Sequence, residues 1–213
     1  LQIKKQFEHY LSPDMVKKLQ KNPSLLKLGG ERKELTFLFS DIRGFTPISE
    51  KFKGEPEKLT QYVNKFLTAM TDIILKNGGT IDKYMGDCIM AFWNAPLDTP
   101  QHKRLAVLSA YQMRKTVKEM NKSGEFDPPL NIGIGINTGE CLVGNMGSEQ
   151  RFDYSVIGDA VNLASRLEGK SKDFNTTIVI SQNTKKDLDF KFYKLGICTV
   201  KGKKEKINCY SIK

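Results

Sequence analysis

Apolar residues along this chain either run together in short stretches or recur every three or four positions in long ones, and the two patterns alternate. Residues 34–41 hold an apolar run of strand length, Leu35-Thr36-Phe37-Leu38-Phe39, ending in Ser40-Asp41. Residues 56–76 place Leu59, Tyr62, Val63, Phe66, Leu67, Met70, Ile73 and Ile74 at helical spacing, and Asn77-Gly78-Gly79 stops that helix. Residues 79–84 and 88–93 are predicted as a strand pair turning at Met85-Gly86-Asp87. A second helix is predicted over 100–120, on Leu105, Val107, Leu108, Tyr111, Met113 and Val117. Residues 130–137 and 139–146 read as another strand pair about Asn137-Thr138-Gly139, and 151–157 as a strand. Gly158-Asp159 then caps a helix over 160–169. The tail reads as strand 176–180, a short helix from Ser181, and strands 190–200 and 206–212. Consecutive strands joined by tight turns pair antiparallel, and helices cover the apolar face. The expected class is α+β, a ferredoxin-like sandwich with a mostly antiparallel, mixed sheet covered by helices.

Residues 1–30 read as a helical lead-in. Ser12-Pro13-Asp14 supplies a cap followed by Pro at the first helical position, Pro23 opens a second short turn, and Gly29-Gly30 breaks it. The expected division is a linker from an upstream regulatory module over 1–30 and one catalytic domain over 31–213. The start at Leu1, without Met, leads to the expectation that the chain is a piece of a longer one. No signal peptide is visible and no apolar run approaches the ~18 residues of a spanning helix. The net charge of +10 comes from lysines spread along the chain, without aromatic–basic interleaving. That argues for solvated charge over nucleic-acid binding, and the field also suits a polyanionic small substrate. Cys88, Cys141, Cys198 and Cys209 form no Cys-x-x-Cys pair, and His9 and His102 are the only histidines, so a zinc site is not expected. Cys88 and Cys141 lie in apolar runs and are expected as buried thiols in a reducing, cytoplasmic compartment.

The candidate chemistry begins with two aspartates, each at a strand end beside a glycine-containing turn: Asp41 in Phe39-Ser40-Asp41-Ile42-Arg43-Gly44-Phe45-Thr46, and Asp87 in Lys83-Tyr84-Met85-Gly86-Asp87. Two such carboxylates brought together hold divalent cations about 3.5–4 Å apart, the arrangement that activates an attacking oxygen and stabilises a leaving one at phosphorus. Alone, each Asp reads more readily as a solvated turn residue or helix cap. The turn Arg43-Gly44-Phe45-Thr46-Pro47 opens a short helix whose backbone N–H groups suit phosphate oxygens. In Gly158-Asp159-Ala160-Val161-Asn162-Leu163-Ala164-Ser165-Arg166, Asn162 and Arg166 share one helix face, suited to orienting a ribose and meeting phosphate charge. An exposed polar stripe is the plainer reading of that face. No Walker A loop is present. Gly133-Ile134-Gly135 with Gly139 lacks dinucleotide-fingerprint spacing and reads instead as glycines admitting close backbone approach.

Together, Phe-Ser-Asp-Ile-Arg-Gly-Phe-Thr, Lys-Tyr-Met-Gly-Asp and Gly-Asp-Ala-Val-Asn-Leu-Ala-Ser-Arg, in this order, resemble the class III nucleotidyl cyclase catalytic domain over about residues 34–212, of the bacterial homodimeric adenylyl cyclase type. The resemblance implies a head-to-tail homodimer with shared sites and two divalent cations, Mg²⁺ or Mn²⁺, on Asp41, Asp87 and the Ile42 carbonyl. It implies purine reading by Lys83 and Ser155, ribose orientation by Asn162, transition-state stabilisation by Arg166, and triphosphate contacts from Lys201 and the Gly44-Phe45-Thr46 turn. The implied reaction converts ATP to cyclic AMP and pyrophosphate. A Lys suits adenine N1 and a hydroxyl suits the 6-amino group, whereas guanine presents the opposite pattern. The family's ATP-specific members usually carry Asp or Thr where this chain has Ser155, which makes a guanylyl cyclase one alternative; a catalytically inactive nucleotide-binding and dimerisation module is another. An upstream sensor or membrane module is implied, with the cyclase domain facing the cytoplasm.

Overall fold

The computed structural model describes residues 2–22, 29–199 and 205–213. Helices α1 (Gln2–Phe7) and α2 (Pro13–Leu19) lead into strand β1 (Gly29–Arg43). Then follow α3 (Phe45–Lys51), α4 (Pro56–Lys76), β2 (Thr80–Met85), β3 (Cys88–Trp93), α5 (His102–Lys122), β4 (Asn131–Gly147), β5 (Phe152–Ile157), α6 (Asp159–Lys170), β6 (Ile178–Ser181), α7 (Gln182–Lys185), β7 (Phe192–Thr199) and β8 (Lys206–Ile212). The strands form one sheet in the order β2-β3-β1-β4-β6-β8-β7, with β5 pairing β4. Every pairing is antiparallel except that of β4 with β6. The α+β class with a mostly antiparallel, mixed sheet is the expected one.

The alternation of β1 splits its side chains between two cores. Leu38 and Ile42 join Tyr62, Phe66, Met70 and Ile74 of α4 and Ala106, Val107, Ala110, Met113 and Val117 of α5 on one face. Leu35, Phe37 and Phe39 join Phe7, Leu11, Val16 and Leu19 of the lead-in helices, with Tyr154 and Val156 of β5, on the other. Of the residues expected to be apolar contacts on α5, Tyr111 is instead 40% exposed, its ring beneath the Arg114 guanidinium. The lead-in helices therefore belong to the fold, latched by the Ile81 N–H donating to the Tyr10 carbonyl at 2.9 Å. Gly29 and Gly30 are the first rungs of β1, opposite Asn145 and Gly144. The second turn expected at Pro23 lies outside the described residues.

The strand pair expected about Asn137-Thr138-Gly139 is corrected: these residues sit in the middle of a single 17-residue strand, β4. Composition suggests a turn there, but tertiary contacts hold the segment extended. Thr138 Oγ1 bonds Thr36 Oγ1 at 2.8 Å and Thr184 Oγ1 at 2.9 Å inside the protein. Asn137 Nδ2 donates to the Ala160 carbonyl at 2.9 Å. Gly139 leaves room for α6, since a Cβ there would lie 2.7 Å from that of Ala160. No helix among the described residues is long and apolar enough to cross a membrane.

Candidate active site

β1 and the β2–β3 turn bring the two aspartates together. Asp41 ends the buried run of β1, and the next residue, Ile42, donates its backbone N–H to Asp87 Oδ2 at 2.9 Å. That bond fixes Asp87 against the strand end and uses one oxygen of its carboxylate. Gly44, in the left-handed region at φ +64°, then swings the chain from β1 into α3 with no side-chain cap. Gly44 and Thr46 are exposed beside the aspartates, and Phe45 packs partly into the α4–α5 core.

A third carboxylate joins them from α6. Glu168 hydrogen-bonds to Asp41 and reaches it because β4 carries Gly133 and Gly135 beneath the helix. A Cβ at Gly135 would collide with the Glu168 backbone N and lie 2.5 Å from the Ala164 carbonyl oxygen. Burial raises the Asp41 carboxyl above the ordinary range, and the neighbouring Asp87 charge adds to this. Burial, then the Asp41 charge and hydrogen bond, push Glu168 up to about 7, so the two carboxyls bind a proton more tightly as a pair than either would alone. Arg43, half-buried, faces both acids and donates to the Thr176 carbonyl. Cys88, expected to be buried, is only partly so; burial and the three acids push its thiol up to about 12, which suppresses the thiolate.

Among the described residues no three His, Cys, Asp or Glu side chains close into a metal cage. The donor set nevertheless fits a hard cation. Two or three carboxylate groups crowd together with mutual repulsion, and Mg²⁺-type ions are held by one or two carboxylates plus substrate phosphates.

Asn162 and Arg166 both lie exposed on α6, one turn apart, as their spacing predicts. Glu168 is two residues past Arg166, about 200° around the helix. The face that carries Asn162 and Arg166 thus points away from the chain's own aspartates.

Lys83 and Ser155 lie elsewhere, connected through Asp82. Lys83 is exposed on β2, where the pairing with β3 slips by one residue between Ile81 and Lys83. β5 folds back across the sheet, with the Tyr154 ring 6.3 Å from that of Phe92. Ser155 Oγ reaches Asp82, the extra residue of that bulge, at 2.9 and 3.2 Å. Lys201 lies outside the described residues.

Glu168 and Asp82 escaped the sequence reading, and Arg43 entered it only as part of the turn before α3. Gly133 and Gly135 signalled that something comes close to β4, without saying what. For Asp82 the only signal was an acid within a strand, an uncommon placement.

Residues 30–213 match the family model described as the adenylate and guanylate cyclase catalytic domain. Adenylate cyclase 1 of Rhizobium meliloti is 30% identical over 211 residues, which cover 97% of this chain but 31% of that protein. The chain thus spans about a third of the length of that curated relative. The crystal structure of the adenylyl cyclase CyaB from P. aeruginosa is similar at TM-score 0.77 and 41% identity, over 87% of this chain and 96% of that one. That of the guanylyl cyclase Cya2 is similar at TM-score 0.76 and 36% identity, over 87% and 94%. A match of this extent makes the chain a member of the adenylate and guanylate cyclase catalytic domain family.

Proposed function

We propose that this chain is an adenylyl cyclase catalytic domain, converting ATP to 3′,5′-cyclic AMP and pyrophosphate as a head-to-tail homodimer. The carrying observation is the convergence of Asp41 and Asp87 at neighbouring strand ends, locked by the Ile42 N–H. The relatives named adenylate or adenylyl cyclase support the choice of reaction. The opposed faces of α6 support a shared site: Arg166 of one protomer serves the phosphate held by the aspartates of the other.

In this reading Asp41, Asp87 and the Ile42 carbonyl hold two divalent cations, Mg²⁺ or Mn²⁺. When bound, these ions supply a lowered pKa for the ribose 3′-hydroxyl and neutralise the triphosphate. The 3′-oxygen attacks the α-phosphorus and pyrophosphate departs. Asn162 orients the ribose, and Arg166 meets the charge that grows on the α-phosphoryl group. The backbone at Gly44, Phe45 and Thr46, together with Lys201, holds the phosphate tail. Lys83 donates to adenine N1 and Ser155 accepts from the 6-amino group. The protein's contribution is chiefly positioning. Residues 1–30 couple this unit to an upstream sensor or membrane module in a longer parent chain, with the catalytic domain on the cytoplasmic side.

The test is product formation from ATP with Mg²⁺ or Mn²⁺ at rising protein concentration. Cyclic AMP is expected, with specific activity increasing as the dimer forms, and Asp41→Asn is expected to abolish it. No cyclic product from a verified dimer overturns the reading.

A further inference from the structure

A serine hydroxyl facing a purine is ambiguous. It carries one proton and two lone pairs and rotates to suit an amino group or a carbonyl. Ser155 is not free to do so. Its Oγ lies 2.9 Å from Asp82 Oδ2 and 3.2 Å from Oδ1. A carboxylate only accepts, so the hydroxyl proton is committed inward. Asp82 is 8% exposed. It also accepts the backbone N–H of Val156, the residue after Ser155. The bulge at Asp82 places it beside Lys83, and Gly144 stands opposite Ser155 on β4, leaving that position without a side chain.

We infer that Asp82 is a specificity-determining residue: by holding the Ser155 proton it turns that hydroxyl into a pure acceptor toward the nucleotide and so selects adenine. This rests on the reading above that Ser155 faces the purine. The 6-amino group of adenine donates into the lone pairs that point outward. The 6-oxo group of guanine brings lone pairs against lone pairs and leaves both unpaired. Asp82 touches no substrate atom; it acts through Ser155. The loss of stiffness in having Ser in place of a β-branched residue is offset, because the carboxylate fixes the rotor.

The experiment compares kcat/KM for ATP, GTP and inosine triphosphate in the wild-type homodimer and in Asp82→Asn. In that variant the Val156 N–H claims the amide oxygen, the amide N–H₂ faces Ser155, and the hydroxyl proton is released outward. The wild type is expected to prefer ATP by about tenfold or more, and Asp82→Asn to shrink the preference by about tenfold with an absolute gain for GTP. Inosine triphosphate, which has guanine's 6-oxo edge without its 2-amino group, is expected to follow GTP. An unchanged preference in a folded Asp82→Asn dimer overturns the inference.

Ser155→Ala gives a second arm if Asp82→Asn does not fold. ATP turnover is expected to fall about tenfold while GTP changes little; a parallel loss for both overturns the inference. Asp82→Asn is expected to have no further effect on the preference in the Ser155→Ala background. A further effect there would mean that Asp82 acts through Lys83, and would also overturn it. If the wild type cyclises GTP as well as ATP, this inference fails and the cyclase reading stands. If it cyclises neither, the cyclase reading fails, and equilibrium binding of ATP against GTP to the same proteins still decides the role of Asp82.

Discussion

Asp41 and Glu168 face each other across the space that Gly133 leaves open, where a Cβ would lie 2.9 Å from Glu168 Oε2. The pair shares a proton, and burial with the Asp41 charge pushes the Glu168 carboxyl from 4.5 up to about 7. A raised carboxyl makes the folded state bind more protons than the unfolded one. Its stabilisation is complete below about pH 4.5 and lost as pH rises through about 7. The cation-free protein is therefore expected to melt at progressively lower temperature from pH 5 to pH 8. The effect is on the order of 1 kcal/mol once solvent screening is allowed for. Glu168→Gln keeps a hydrogen-bond donor toward Asp41 and is expected to flatten that slope. Mg²⁺ or Mn²⁺ at pH 8 is expected to raise the wild-type melting temperature, because the ion then offsets the repulsion that the proton relieved. A wild-type slope that survives in Glu168→Gln would place the titration elsewhere. At the same scale, and on the proposed purine reading, Lys83→Glu would present an acceptor to an acceptor at adenine N1. It is expected to lower ATP turnover at least tenfold in a kinetic assay, the order of one hydrogen bond replaced by repulsion.

The elements divide by how local their causes are. Helix α4 was legible because its buried set, Tyr62, Phe66, Met70 and Ile74, repeats every four residues, and Pro56 and Asn77 mark its ends. Phe66 is fully buried, and Phe66→Ala is expected to cost about 3–5 kcal/mol in denaturant unfolding. The β2–β3 hairpin and the α6 face of Asn162 and Arg166 were legible for the same reason. Strand β4 was not. Asn137-Thr138-Gly139 has the composition of a turn, and only partners on distant segments, Thr36, Ala160 and Thr184, explain why it runs straight through. Glu168 and Asp82 were hidden likewise: each matters through a residue far away in sequence, Asp41 or Ser155. Gly135→Ala tests the seating of α6 directly. The added methyl meets backbone rather than a yielding side-chain tip, so the variant is expected to lose about 3 kcal/mol of stability, the upper end of overpacking costs, and most activity together. Full activity in that variant would mean that α6 does not need its present height above the sheet.

At the scale of the whole molecule, the opposed faces of α6 make a quantitative demand. On the proposed shared site, Asp41→Asn and Arg166→Ala are each expected to spoil both sites of their own homodimer. Mixed in equal amounts with free exchange, half of the dimers pair one of each, and each such dimer has one intact site. About a quarter of wild-type activity is therefore expected from two inactive proteins. Zero recovery, with exchange verified by a labelled subunit, would place both residues in one site. Helix α6 also rests backbone against backbone on β4, and the same strand carries β5 with Ser155. Helix, strand and arm are thus seated on one another directly. In the proposed shared site, the height from which Arg166 reaches is set by the seat of α6 on β4, so the gap it closes across the interface depends on the posture of one protomer against the other, as the bite of a vice is set by its jaws.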